Sequence, residues 1–170
     1  MAMTLVPMTE PEFQQFVEAS CEEYARSKVR AGVASPERAR EVAHEEFRHL
    51  LPAGRETPDH YFYTIREDPS GRVVGRLWMA RRTNEGIARA FVYELWIEEP
   101  FRRKGFAEAA LRELESVVQG MGLSRIGLHV FGYNEPAIAL YRKLGYVTTD
   151  LIMERALEPS PQGGPVANPT

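Results

Sequence analysis

Arg102-Arg103-Lys104-Gly105-Phe106-Ala107 stands between a strand-like segment that ends near Ile97 and a strongly amphipathic helix, and its reading decides the fold. A glycine and a small residue two positions apart let the backbone close tightly at a helix start. The first N–H groups of that helix have no intrahelical acceptor, and the helix dipole adds partial positive charge there. Arg102, Arg103 and Lys104 reinforce the same field. The combination describes a cradle for a phosphate-type anion, with the shape of a pyrophosphate site.

Working outward, a helix is expected over residues 106–121, with Ala107, Ala110, Leu111, Leu114, Val117, Val118 and Met121 as its apolar stripe and Gly120 and Gly122 as its end. Residues 125–131 alternate, with Ile126, Leu128 and Val130 on one face and Gly127, His129 and Phe131 on the other. A short helix over about 135–144 stops at Gly145, a left-handed C′ residue, and residues 146–155 form a last strand. Upstream lies an antiparallel meander, with strands at 61–66, 73–81 and 87–97 joined by the turns Asp68-Pro69-Ser70-Gly71 and Thr83-Asn84-Glu85-Gly86. Strict alternation in the third of these groups Phe91, Tyr93, Leu95 and Ile97 against Val92, Glu94 and Trp96.

Two helices precede the meander, after the apolar segment Leu5-Val6-Pro7-Met8. Thr9 and Glu12 make a capping box, Met8 and Phe13 a hydrophobic staple, and Phe13, Phe16, Val17, Cys21 and Tyr24 recur at helical spacing up to Gly32. Ser35-Pro36-Glu37 starts the second, with Ala39, Val42, Phe47 and Leu50 on its apolar side and Pro52-Ala53-Gly54 as its break. Helices, antiparallel strands, then strand–helix–strand–helix–strand give an α+β fold, an α/β sandwich around a mixed sheet.

At 170 residues, such a chain buries roughly 70% of its unfolded surface without needing a disulfide or metal. We read one domain over residues 1–157 and a flexible tail, rich in Pro, Gly and Ser, over 158–170. With 24 acidic against 21 basic residues, a general nucleic-acid binder is not indicated. No apolar run approaches a membrane span, no basic-then-apolar signal pattern opens the chain, and the single Cys21 forms no internal disulfide. A cytoplasmic enzyme or binding domain is the expectation.

About thirty residues beyond the anion cradle comes Asn134-Glu135-Pro136-Ala137-Ile138-Ala139-Leu140-Tyr141-Arg142-Lys143-Leu144-Gly145-Tyr146. Paired at this spacing, the two stretches resemble the signature regions of the GCN5-related N-acetyltransferase (GNAT) family, over residues 92–147. Residues 1–60 carry no comparable signal. The resemblance implies a mixed, mostly antiparallel sheet flanked by helices, with a splay between its parallel fourth and fifth strands. It further implies that acetyl-CoA is the acyl donor and a primary amine of a small molecule or peptide the acceptor. In that arrangement Leu95, Trp96 and Ile97 offer backbone groups to pantetheine, which mimics an added strand. Arg102, Arg103, Lys104, Gly105, Phe106, Ala107 and Glu108 hold the pyrophosphate, the amides from Arg103 onward making the contacts. Many relatives dimerise, so a homodimer is compatible with it.

Asn134 matches the family's motif asparagine, which contacts the cofactor or fixes the next helix; its local reading is an N-cap. Ala137 lies one turn before Tyr141, so a small residue and a phenol share the face that meets the thioester. Tyr141 matches the usual general acid, able to protonate the departing thiolate, or else is a core tyrosine anchoring the last helix. A lysine-like amine is protonated at pH 7, and freeing it costs about 4.6 kcal/mol, so a base is needed. Glu94, a carboxylate on an otherwise apolar strand, and His129, inward on the adjacent strand, both answer that description. Each also reads as a satisfied buried polar group. A non-catalytic acyl-CoA-binding or sensing module on the same fold is the competing reading.

His44 and His49 resemble a zinc-protease helix, but at five residues apart they point roughly 140° from one another, and no metal is expected. Trp78 and Trp96 read as packing residues, the second also bordering the acceptor site. A dinucleotide-binding domain is disfavoured, because its glycine motif follows the first strand of a βαβ unit rather than a meander.

Overall fold

Thr9 starts the first long helix as the capping box requires: its side-chain oxygen accepts from Glu12 N, and the Glu12 carboxylate accepts from Thr9 N at 2.8 Å. Met8 and Phe13 meet in one apolar cluster beside it. The computed structural model describes residues 2–155 and 157, so the tail expected over 158–170 lies outside the described residues. The order is β1 (Met3–Pro7), α1 (Glu10–Arg30), α2 (Ala39–Leu50), β2 (His60–Glu67), β3 (Val73–Asn84), β4 (Ile87–Ile97), α3 (Phe106–Gly120), β5 (Ile126–Leu128) and α4 (Glu135–Lys143). The strands lie side by side in chain order, every pair antiparallel except β4 with β5. This is the mixed sheet that the pattern of elements implies, mostly antiparallel and flanked by helices as the resemblance implies. No helix among the described residues is long and apolar enough to cross a membrane.

Alternation along the strands builds a separate core on each face. Ile65, Leu77, Met79, Ala90 and Val92 pack with Phe106, Ala110, Leu114 and Val118 of α3. On the other face, Phe62 and Trp78 pack under Phe13, Phe16, Cys21 and Phe47 of α1 and α2. Trp78 is 2% exposed, and its ring stacks on Tyr93 at 4.4 Å. Its indole N–H donates to His60 Nδ1 at 2.9 Å, which satisfies the one polar atom it carries into the core.

Three sequence expectations change. Trp78 pairs with Glu94 while Met79 pairs with Val92, so Tyr93 is an extra residue in β4. That bulge resets the alternation. Val92 joins Leu95 and Ile97 on the α3 side, while Phe91 packs edge-on against Tyr93 on the α1 side, against the grouping expected from a strict period of two. The strand expected over 125–131 is only Ile126–Leu128, since its pairing with β4 ends at Val92–Leu128, just before the extra residue Tyr93. The last strand expected over 146–155 is not formed. A three-residue β5 offers too little edge to template it, and Val147, Leu151, Ile152 and Met153 stand 75–89% exposed. A smaller change is that α2 begins at Ala39 rather than near Ser35, whose carbonyl instead accepts from Arg38 N and Ala39 N in a preceding turn.

β3 and β4 come unusually close where the bulged strand ends. A Cβ at Gly75 would lie 2.3 Å from the Trp96 carbonyl oxygen and 3.0 Å from Ile97 Cδ1. Gly75→Ala is therefore expected to cost about 1–3 kcal/mol, as overpacked sites do, and to lower the urea midpoint accordingly. An unchanged midpoint would show that the two strands yield freely.

Candidate active site

β4 and β5 are joined only at Ala90–Ile126, Phe91–Gly127 and Val92–Leu128. From Glu94 to Ile97, β4 keeps its partners on β3 but has none on the β5 side among the described residues. The two strands thus open from a common root, and the extra residue Tyr93 sits where they part.

Gly105 caps α3 with φ +89, a left-handed conformation that L side chains rarely adopt, and no side chain caps the helix. Among the described residues, the N–H groups from Arg103 through Glu108 have no protein acceptor; the first bond is Ala109 N to Gly105 O at 3.0 Å. Arg102, Arg103 and Lys104 form no ion pair among the described residues. Arg102 donates from Nε to the Ile97 carbonyl at 2.9 Å, and its guanidinium lies 4.6 Å over the Trp96 ring. Arg76 stacks on the same ring at 5.0 Å. The turn therefore presents a row of free amides next to three cations without an ion-pair partner among the described residues.

Glu108 turns its side chain away from that row and ties α3 to α4, accepting from Lys143 Nζ at 2.6 Å and from Arg112 at 3.2 Å. The Lys143 hydrogen bond, with that from Arg112, holds its carboxyl below the usual range. Asn134 caps α4, its Oδ1 accepting from Ala137 N at 3.4 Å. Its local reading as an N-cap is thus realised. Ala137 and Tyr141 follow on one helix face, and Gly145, at φ +88, ends the helix with Tyr146 N donating to Tyr141 O at 3.0 Å. Burial pushes the Tyr141 phenol above its ordinary value. The neighbouring Tyr146 ring is 5.6 Å away; its buried hydroxyl has no partner among the described residues, and burial first, then Glu115 and Tyr141, pushes it up to about 12.

Glu94 projects toward α1. Its Oε1 accepts from Arg76 Nε at 2.6 Å, and Arg76 Nη1 lies 3.6 Å from Glu98. Burial raises the Glu94 carboxyl above its usual range, and Arg76 and the Ser20 hydroxyl only partly counter it. His129 differs. It follows β5, is exposed rather than inward, and meets Phe131 edge-on at 5.0 Å. Leu95, Trp96 and Ile97 lie on the free stretch of β4, the Arg103–Glu108 amides follow in the next turn, which Arg102 ties back to Ile97 and Trp96, and Glu94 has a charged partner that His129 lacks among the described residues. Sequence reading missed Arg76, although a lone cation in Val73-Val74-Gly75-Arg76-Leu77-Trp78 was the available signal. It also missed Arg30, whose guanidinium lies 4.2 Å over Tyr133 and so joins the end of α1 to the loop before α4.

The profile of the Acetyltransferase (GNAT) family matches residues 18–146, well beyond the two signature stretches. The chain belongs to the GNAT family. It is 35% identical over 157 residues to the Bacillus subtilis (strain 168) protein named Uncharacterized N-acetyltransferase YycN, covering 92% of this chain and 100% of that one. YdgE of the same organism, also named Uncharacterized N-acetyltransferase, is 36% identical over 157 residues, with 92% and 99% covered. The crystal structure of YycN superposes with a TM-score of 0.88 at 34% identity, covering 93% of this chain and 100% of that one. This GNAT protein is accordingly an acetyltransferase, of a family that draws its acyl group from acetyl-CoA. The residues present fit that cosubstrate: free amides and unpaired cations suit a diphosphate, and Gly105 puts no side chain in its way.

Proposed function

We propose that this acetyltransferase transfers an acetyl group from acetyl-CoA to a primary amine by direct attack in a ternary complex. The observation that carries the reading is the opening between β4 and β5, followed in the chain by the unpaired amides of Arg103 through Glu108. Acetyl-CoA, when bound, supplies a thioester carbonyl as electrophile. The Arg103–Glu108 amides and the Arg102 to Lys104 cations hold the diphosphate, and the free edge of Leu95, Trp96 and Ile97 aligns the pantetheine arm. Glu94 takes the proton that an ammonium acceptor must lose before its nitrogen can bond to the acetyl carbon. The Tyr141 hydroxyl gives a proton to the sulfur as the C–S bond breaks; its raised value keeps that proton in place until the thiolate needs it.

Support for Glu94 over His129 comes from burial and the Arg76 contact, which fix the carboxylate in place. Initial rates measured over a grid of acetyl-CoA and amine concentrations test the order of events. Intersecting double-reciprocal lines are expected, and parallel lines would refute direct attack. No CoA release with any amine, under conditions where acetyl-CoA binding is demonstrated, would identify an acyl-CoA-binding module instead. Tyr141→Phe is expected to lower kcat by about a hundredfold, at the low end of general-acid contributions, with acetyl-CoA affinity retained. Parental turnover in that variant would remove Tyr141 from the chemistry.

A further inference from the structure

Arg82 of β3 and Arg89 of β4 are register partners, so their side chains leave the same face of the sheet directly opposite one another. Like charges so placed destabilise an antiparallel pair. Among the described residues neither arginine has an ion-pair or hydrogen-bond partner, and Arg89 Nε is buried with none. Asp59, which acts with Arg82 on the charge of His60, bridges to neither. Both arginines are half-buried, whereas Arg81, pointing to the other face, is exposed.

Their surroundings lead to the opening. The Arg82 guanidinium lies 4.8 Å over Phe91 and 5.9 Å from the Tyr93 ring. Arg89 runs beside β5, its Cδ 3.7 Å from where a Cβ of Gly127 would be, and Phe91 is 3.6 Å from the same point. Stacking on an aromatic ring uses the face of a guanidinium and leaves its in-plane N–H donors free. The pair thus stands at the far end of an aromatic wall, Phe91 then Tyr93, whose near end is Glu94.

We propose that Arg82 and Arg89 form an anion site that holds a carboxylate or phosphate of the acceptor, so that the substrate is an amine with a negative group at its far end. This rests on the acetyl-transfer reading for the word acceptor, but the anion site itself does not. A guanidinium pair suits either oxyanion, each accepting parallel N–H bonds.

The experiment uses the full chain with aminohexanoate, aminohexyl phosphate and hexylamine as probes. Guanidinium N–H resonances are followed by NMR, and acetylation is followed by CoA release. Both anionic probes are expected to shift two Nε–H signals that disappear in Arg82→Gln and Arg89→Gln; hexylamine should not. The anionic probe that is used better is expected to exceed hexylamine in kcat/KM by about tenfold or more, the size of one charge-assisted hydrogen bond. The double Gln variant should bring that ratio to about one through KM, and Arg81→Gln should leave it unchanged. The stronger response of the two anionic probes separates carboxylate from phosphate. No shift with either, or a preference that survives in the double variant, overturns the proposal. Shifts without turnover of any probe, while acetyl-CoA binds, would keep the anion site and sink acetyl transfer to an amine.

Discussion

Replacing Gly105 by glutamate is expected to weaken acetyl-CoA binding by about a hundredfold or more. The φ of +89 imposes a conformational cost on any side chain, about 1–2 kcal/mol, and a carboxylate beside the unpaired amides opposes a diphosphate. A carboxylate about 4 Å from a diphosphate charge opposes it by about 4 kcal/mol at an effective dielectric of 20, more than the roughly 2.8 kcal/mol that a hundredfold represents. Calorimetric titration with acetyl-CoA measures the loss, and thermal unfolding checks that the fold survives. Because a Cβ at Gly105 meets nothing within 4 Å, Gly105→Ala carries the conformational cost alone and should lose far less. Equal affinity in the glutamate variant and the parent would mean that the diphosphate sits elsewhere.

Glu94→Gln is expected to lower kcat by about a hundredfold to ten-thousandfold, the range of positioned general bases. The pH profile identifies the group. A base works deprotonated, so kcat/KM rises with pH through its pKa. Burial sets that of Glu94 above 4.5, while Arg76 draws it back. In the Gln variant this limb should vanish. If it persists there and disappears instead in His129→Gln, His129 is the base; if both variants keep it, neither is. The same raised value has a consequence for stability. Between 4.5 and the folded pKa the native state holds the extra proton, so stability falls as pH rises through that window.

Local chemistry was readable where one residue type satisfies one backbone demand. Thr9 with Glu12, Gly105 before α3 and Gly145 after α4 each state their role in the sequence, and each is realised. Element order was legible from α1 to α4, because the periods of two and 3.6 switch there, but the apolar segment at residues 5–8 did not announce β1 and the strand expected over 146–155 is not formed. The bulge at Tyr93 was not legible, since a period-two pattern carries no mark for an inserted residue, and a one-residue slip moves every later side chain to the other face. The Arg76–Glu94 pair was hidden for the same reason: cross-strand partners follow from register, which the turn and the bulge fix jointly. Residues 146–155 carry the β-branched and apolar side chains that strands favour, but such a composition describes only a readiness to pair.

The two tryptophans occupy opposite environments. Trp78 is closed inside the aromatic core, whereas Trp96, half-buried at the opening, is held between the guanidiniums of Arg76 and Arg102. An anion arriving at Arg102 changes the electric field across one indole and leaves the other in the dark. The chain therefore contains its own label-free fluorescent reporter and its own internal standard, and occupancy of the phosphate turn can be followed by emission alone.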